Sequence, residues 1–292
     1  MTKVAIVTDS VASIPQTLVE ELDIHLVPYY IHRGTETLRD LVTAKTGDFY
    51  DWMKTATEIP KTANPSPGEY FEKYRQLAEQ GVRNIVSIHI TSKGSGAYGA
   101  ALAAKRLVLE NFSGVNIEVI DSLNVQMCQG WMAIEAARAA LKGFLLEEIT
   151  VRVREMIPVS HMLQTADTLR YLYLGGRIGR AKHLVGSMLD IKPMISMVDG
   201  EIVALGQART RKKVDRTMVD KLDDIAGQNA VKVAYVHAAA REEAEKLKAM
   251  VESRVEVLES IISELSPALG VHTGPGSVGF CFFPVTVEQL TG

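Results

Sequence analysis

The order of apolar and polar segments predicts an α/β chain of two domains: a parallel-sheet domain first, an α+β domain second. Three observations carry this. Short apolar runs at 3–8, 84–90 and 115–120 alternate with helical patterns, and runs of that kind read as buried parallel strands joined by right-handed crossovers. The first and last of these runs each close on an Asp-Ser pair, Asp9-Ser10 and Asp121-Ser122, as parallel strands ending at one sheet edge do. Near Pro158 the pattern changes to hairpins mixed with helices. The expected division is 1–160 and 161–292, with the 60–80 segment free to pack against the second part.

The elements follow in order. Ser13 and Gln16 have capping-box spacing around Pro15, which opens a first helix. Residues 24–31 read as one strand, 33–37 as a polar loop, and Asp48 as the cap of a helix that stops before Pro60. Ser66, Pro67 and Glu69 form a second capping box, which places Thr62 on the loop before that helix. Helices are expected at 125–142 and 147–156, then a strand at 161–166 and a short helix capped by Asp167. Strands at 191–197 and 201–209 flank Asp199-Gly200, an Asp-Gly hairpin signal. Helices at 212–225 and 241–252 alternate with strands at 231–237, 255–259 and 280–283, and Thr273-Gly274-Pro275-Gly276 reads as a turn before the last strand.

Composition narrows the function. The 292 residues are 47% hydrophobic, 23% charged and 6% aromatic, enough for a large, mainly aliphatic core. Lys and Arg number 32 against 35 Asp and Glu, a net charge of −3, which offers no general attraction to nucleic acid or anionic membrane. Cys128 and Cys281 stand apart from any Cys/His cluster, and the seven histidines show no metal-ligand spacing. No apolar run nears the roughly 18 residues of a membrane span, and 3–8 is too short for a signal core. The expectation is a soluble cytoplasmic protein without metal or cofactor.

The most informative stretch is NIVSIHITSKGSGAYGAA at 84–101: a strand, a hydroxyl- and glycine-rich turn, then an alanine-rich helix. Thr91, Ser92 and Ser95 stand at the helix entrance, where unpaired amides and the helix dipole favour an anion. Two readings compete. Gly94-x-Gly96-x-x-Gly99 matches the dinucleotide fingerprint, with Glu118 or Asp121 spaced for a ribose contact, and implies an NAD(P)-dependent oxidoreductase. Against this, Thr91-Ser92-Lys93 separates the strand from the first glycine, and the unit is not the first βα unit of the chain. His272, beside Thr273-Gly274-Pro275-Gly276, is the one histidine next to exposed turn backbone. Asp9 and Asp121 read as loop or helix caps, and the dense Arg209, Arg211, Lys212, Lys213 as a solvated helix entrance or an acidic partner's contact. Arg177 lies between glycines; Met156, Met162, Met188, Met194 and Met197 read as core or as an adaptable pocket wall.

These stretches in order resemble the DegV family, the fatty-acid-binding proteins that include the FakB subunits. The resemblance rests on IVTDSVASIP, Thr62 with PSPGE (65–69), IHITSKGSGAY (88–98), VIDS (119–122), LYLGGRIG (172–179), IKP (191–193), RTRKK (209–213) and HTGPGSVG (272–279). It implies a two-domain α/β fold with a long-chain fatty acid buried between the domains. The carboxylate would be held by Thr62, Ser92, Ser95, Gly96, His272 and Thr273. The chain would be a carrier without catalytic residues, presenting the acid to a separate ATP-dependent fatty acid kinase for acyl-phosphate formation and phospholipid synthesis. Arg177, Arg209, Arg211 and Lys212 would be candidate partner contacts. The chain departs from the family pattern at Ala63-Asn64 and at Gly94; neither change removes one of these hydroxyls.

Overall fold

The computed structural model describes residues 3–187 and 191–285. Strand β1 (Val4–Asp9) runs through a 3-10 turn into α1 (Gln16–Glu21), and β2 (Ile24–Val27), β3 (Tyr30–Arg33) and β4 (Glu36–Arg39) follow. Next come α2 (Thr46–Thr55), β5 (Lys61–Ala63), α3 (Pro67–Glu79), β6 (Asn84–His89), α4 (Ala97–Asn111) and β7 (Asn116–Asp121). Helices α5 (Met127–Leu141) and α6 (Leu146–Met156) lead to β8 (His161–Thr165), α7 (Arg170–Leu174) and a 3-10 segment (Gly179–Ser187). The remainder is β9 (Lys192–Val198), β10 (Glu201–Ala208), α8 (Arg211–Ala226), β11 (Ala230–His237), α9 (Arg241–Glu252), β12 (Val257–Glu264), α10 (Pro267–Thr273) and β13 (Val278–Val285).

The first sheet is parallel, in the order β2-β1-β6-β7. Every residue of β1 is buried, as a strand covered on both faces requires. Asp9 and Asp121 end its strands at the same edge, on either side of β6, as the repeated Asp-Ser pairs predict. The second sheet has six strands in the order β10-β9-β8-β13-β11-β12, antiparallel except for β11 with β12. A small antiparallel sheet, β4-β3-β5, is inserted in sequence between β2 and β6 of the first sheet.

Helix α5 joins the two large sheets into one core. Eleven of its residues are buried, so its apolar surface runs around the helix rather than along one stripe. Towards the first sheet, Gln129 Nε2 donates to Thr8 Oγ1 and Asp9 Oδ1, both at 2.9 Å. Towards the second, Trp131 Nε1 donates to the Cys281 carbonyl at 3.2 Å, and its ring meets Phe283 edge-on at 5.8 Å. A separate core fills the far face of the six-stranded sheet beneath α8 and α9.

Several sequence expectations are corrected. The expected strand at 24–31 is two strands in different sheets, parted at Pro28, which has no N–H for a ladder. The 33–37 loop is the tight β3–β4 hairpin, with Gly34 at φ +58°. Ser13 does not cap α1; it turns at φ +52° and accepts the Ser266 N–H at 3.0 Å. Asp48 lies inside the first turn of α2 without capping it. Asp167 does not cap α7 but pairs with Lys192 at 2.6 Å and Arg211 at 3.0 Å. Thr62 is on β5 rather than on a loop.

Helix α10 is absent from the sequence reading. Its start carries the same signal as α3, Ser266 as N-cap and Pro267 at the first position. Gly270 masks it, and the reason is packing: a Cβ there would lie 2.6 Å from the Tyr50 hydroxyl. The Asp199-Gly200 hairpin is as expected, with φ of +51° and +78° at its two turn residues.

Candidate functional site

A cavity of about 370 Å³ lies between the C-terminal edge of the parallel sheet, the near face of the six-stranded sheet, and α10. The turn after β6 forms one wall. There Thr91 accepts the N–H groups of Gly94 and Ser95 on its carbonyl, at 3.1 and 3.2 Å, which brings Ser95 towards the cavity ahead of α4. Alternation along β8 and β9 sends Met162, Gln164, Ile195 and Met197 to the cavity and Leu163 and Met194 to the far core. The methionine group therefore divides: Met162 and Met197 are pocket wall, Met194 and Met156 are core, and Met188 lies outside the described residues.

Two polar pairs face this cavity. Thr62 Oγ1 and His272 Nε2 are 2.7 Å apart, although 210 residues separate them in the chain. Tyr29 OH and Ser95 Oγ are 2.6 Å apart. Burial, with a smaller contribution from the Arg177 guanidinium, pushes the His272 pKa down to about 4, so the ring is neutral at physiological pH. Its Nδ1 is buried without a partner among the described residues. Burial also raises the Tyr29 hydroxyl well above its ordinary value, which keeps it protonated and able to donate.

The strands hold these groups through buried polar links. Asp40 Oδ2 accepts from Ser10 Oγ at 2.6 Å, and Ser10 Oγ accepts the Tyr29 N–H at 3.1 Å. Asp40 Oδ1 accepts the Ala268 N–H at 3.0 Å and so fixes the start of α10, which carries His272 at its other end. Burial pushes the Asp40 pKa up to about 6. The tip of the β9–β10 hairpin closes on the turn after β6, where Thr91 Oγ1 donates to the Gly200 carbonyl at 2.9 Å.

Thr62, Ser95, His272 and Thr273 all line the cavity. The Thr273 hydroxyl already donates to the Leu269 carbonyl at 3.2 Å. Ser92 and Gly96 do not line it. Ser92 is exposed and its N–H turns outward to the Asp121 carboxylate, 3.2 Å from each oxygen. Gly96 is the exposed N-cap of α4, covered on its inner side by Asn64: a Cβ there would meet Asn64 Oδ1 at 2.9 Å.

Among the candidate partner contacts, Arg177 is exposed and also lines the cavity, while Arg209 and Lys212 are exposed elsewhere. Arg211 is turned inward. It donates to Asp167 Oδ1 at 3.0 Å and to the Gly276 carbonyl at 2.8 Å, supporting the loop after α10. Tyr29, Asn64, Gln126 and Gln164 line the cavity too, and their sequence neighbourhoods carry no signal that separates them from strand and loop residues.

The glycine fingerprint has no dinucleotide geometry. The turn at 91–95 is closed by its own hydrogen bonds, Asn64 occupies the approach to Gly96, and both candidate ribose acids are engaged. Asp121 accepts from Ser92 and Leu123, and Glu118 faces Arg154 at 3.2 Å. Among the described residues no cluster of three or more His, Cys, Asp or Glu side chains is arranged to hold a metal, and no helix is long and apolar enough to cross a membrane.

Fold and site together define a two-domain α/β protein with an interdomain cavity, whose wall combines hydroxyls and other polar side chains with aliphatic ones such as Leu172, Ile195 and Met197. The family model described as "Uncharacterised protein, DegV family" matches residues 3–285, and the chain belongs to that family. A DegV domain-containing protein from Listeria innocua is 34% identical over 278 residues, covering 95% of this chain and 97% of its own. Another, from Caldanaerobacter subterraneus, is 33% identical over 283 residues, covering 97% and 99%.

Solved structures agree. A stearic acid-binding protein from Eubacterium ventriosum superposes with a TM-score of 0.91 at 28% identity, covering 100% of both chains. A DegV family protein from Thermus thermophilus, described by its fatty acid binding, gives 0.90 at 26% identity, covering 97% of this chain and 100% of its own. DegV of Bacillus subtilis, a fatty acid binding protein, gives 0.88 at 29% identity, covering 98% and 100%.

Proposed function

We propose that this chain binds a long-chain fatty acid in the interdomain cavity and presents it to a separate ATP-dependent fatty acid kinase, without catalysing a reaction itself. The observation that carries the reading is the convergence of Thr62–His272 and Tyr29–Ser95 on one cavity whose remaining wall includes Met162, Leu172, Ile195 and Met197. The fatty acids bound by structural relatives support it.

The chemistry is that of neutral donors. With its single proton on Nε2, the neutral His272 ring donates to Thr62 Oγ1 and frees the Thr62 hydroxyl proton for a ligand oxygen. Tyr29 does the same for Ser95. Each bulky buried group thus turns a small hydroxyl towards the carboxylate, and Thr273 adds wall rather than a free hydroxyl. A carboxylate resists burial unless its oxygens find donors. About 15 buried methylenes contribute roughly 12 kcal/mol gross, against an association cost of about 4–15 kcal/mol. The head group must therefore be held well, but it must also be released. Donors without a permanent counter-charge suit a carrier that surrenders its carboxylate to a kinase. Arg177, exposed and at the cavity, is the proposed contact with that kinase; Arg209 and Lys212 extend the basic surface.

Native mass spectrometry of the purified chain tests the first half, with a retained C14–C18 acid expected. A chain that stays empty when offered such acids rejects it. Incubating the loaded chain with ATP and a purified fatty acid kinase tests the second half: acyl phosphate should appear only when all three are present.

A further inference from the structure

The aliphatic part of the cavity contains a polar feature that a plain hydrocarbon chain does not use. Gln126, just before α5, and Gln164, in β8, are 2% and 1% exposed. Gln126 Nε2 donates to Gln164 Oε1 at 2.5 Å. Gln164 Nε2 is then buried with no partner among the described residues. Gln126 Oε1 is met by the Cys281 thiol at 4.0 Å, a weak and distant donor.

The surroundings are apolar. Met162 shares the strand face of Gln164, Ile195 stands opposite it on β9, and Val125 adjoins Gln126; all three line the cavity. Gln126 is held at φ +57° and ψ −144°, a backbone conformation that residues with side chains rarely adopt. Burying an unpaired amide is unfavourable, so a wall shaped only for methylenes gains nothing from this pair.

The pair, joined by one hydrogen bond, offers one unfilled donor and one poorly filled acceptor. Interchanging nitrogen and oxygen on both amides exchanges the two residues' roles and still leaves one of each. A hydroxyl fills both, because its oxygen accepts while its proton donates. A ketone or ester oxygen fills only the donor, and a methylene fills neither.

We infer that the acid carried by this chain is hydroxylated along its length, with the hydroxyl docked between Gln126 and Gln164. The inference rests on the fatty-acid reading above and names the substrate class within it. Gln126 and Gln164 are then specificity residues, separate from the head-group hydroxyls.

The test is calorimetric titration of the delipidated full chain with stearic acid and with monohydroxystearic acids whose hydroxyl steps along the chain. One position should bind at least about tenfold tighter than stearate, equivalent to about 1.4 kcal/mol. Gln164→Leu and Gln126→Leu should each abolish that preference, so that no hydroxystearic acid binds tighter than stearic acid to the same variant. If leucine unfolds the chain, as judged by circular dichroism, Gln164→Met supplies the same test with a flexible side chain. Stearate binding with no hydroxy acid preferred overturns the inference and leaves the carrier proposal standing. A preference that survives in the variants overturns the assignment to these glutamines. Failure of every acid to bind overturns both proposals.

Discussion

Asp40→Asn should tilt the pH dependence of folding stability, and His272→Gln should tilt it the opposite way. The two groups sit at the two ends of α10, and burial displaces their titrations in opposite senses: Asp40 from 3.8 up to about 6, His272 from 6.5 down to about 4. Because the folded state holds the Asp40 proton more tightly than the unfolded chain, Asp40 contributes stability below pH 4 that is lost as pH rises through 6. For His272 the unfolded chain takes the proton that the buried ring refuses. Its contribution is therefore present above pH 6.5 and lost as pH falls towards 4. At about 1.4 kcal/mol per pH unit, the gap between folded and unfolded values is worth roughly 3 kcal/mol for each group.

In the native protein these contributions oppose one another between pH 4 and 6.5. Asp40→Asn removes the first, so relative to the native protein its stability should climb by about 3 kcal/mol across that window. His272→Gln removes the second and should decline by a similar amount. Urea denaturation at half-unit pH steps, followed by fluorescence of the fully buried Trp131, reads both slopes. If the Asp40→Asn profile runs parallel to the native one, Asp40 is not titrating in that window, and the account of how α10 is anchored is wrong.

Two further outcomes test the site and its closure. Thr62→Ala and Ser95→Ala should each weaken fatty-acid binding about tenfold, the order expected for a hydrogen bond to a charged group, with unchanged circular dichroism; undiminished affinity in the double variant removes both hydroxyls from the site. Gly200→Ala forces a side chain into φ +78° and sets a Cβ 2.5 Å from Thr91 Oγ1, which should cost about 1–3 kcal/mol and lower the melting temperature, while faster amide exchange confined to the β9–β10 hairpin should mark the opened latch. An unaltered melting temperature would show that the hairpin tip does not depend on this contact.

The legible parts of the fold were those where local chemistry and tertiary structure agree. The capping box at Ser66 is present in both halves, with Glu69 N–H to Ser66 Oγ at 3.3 Å and Ser66 N–H to Glu69 Oε2 at 2.9 Å. The Asp-Gly hairpin and the fully buried β1 read correctly for the same reason. Errors arose where a distant partner took over a local signal. Ser13 looks like a cap because Gln16 follows at the right spacing, yet Ser266 claims its hydroxyl. Gly270 looks like a helix breaker until Tyr50 is placed against it. At the site, Thr62, Ser95 and His272 were visible as hydroxyls and a histidine beside turns. Tyr29 and the two glutamines were not, because only the folded sheets bring them to the cavity. Ser92 and Ser95 stand three residues apart in the turn, yet the Ser92 N–H faces Asp121 while Ser95 faces the cavity, a difference that spacing alone does not encode.

Access, more than residue type, decides what a serine–histidine–aspartate trio in this fold can do. Ser87 Oγ lies 2.7 Å from His89 Nε2, and His89 Nδ1 lies 3.1 Å from Asp9 Oδ2, the connectivity of a nucleophile, base and orienting carboxylate. All three residues are wholly buried, and none lines the cavity. Ser87 Oγ is further occupied as acceptor of the Tyr74 hydroxyl at 2.7 Å, and Asp9 Oδ1 by Gln129 at 2.9 Å. A carbonyl group has no path to that serine, so the trio serves as a fully satisfied polar tie across the parallel strands. The Thr62–His272 pair inverts the arrangement: among the described residues no carboxylate is a hydrogen-bond partner of His272 and its Nδ1 has no partner, while the Thr62 hydroxyl faces the cavity. Without an orienting carboxylate, and with a pKa of about 4, that histidine is a poor base for activating threonine. Histidine paired with a hydroxyl thus occurs in this fold both sealed among the parallel strands and facing the cavity.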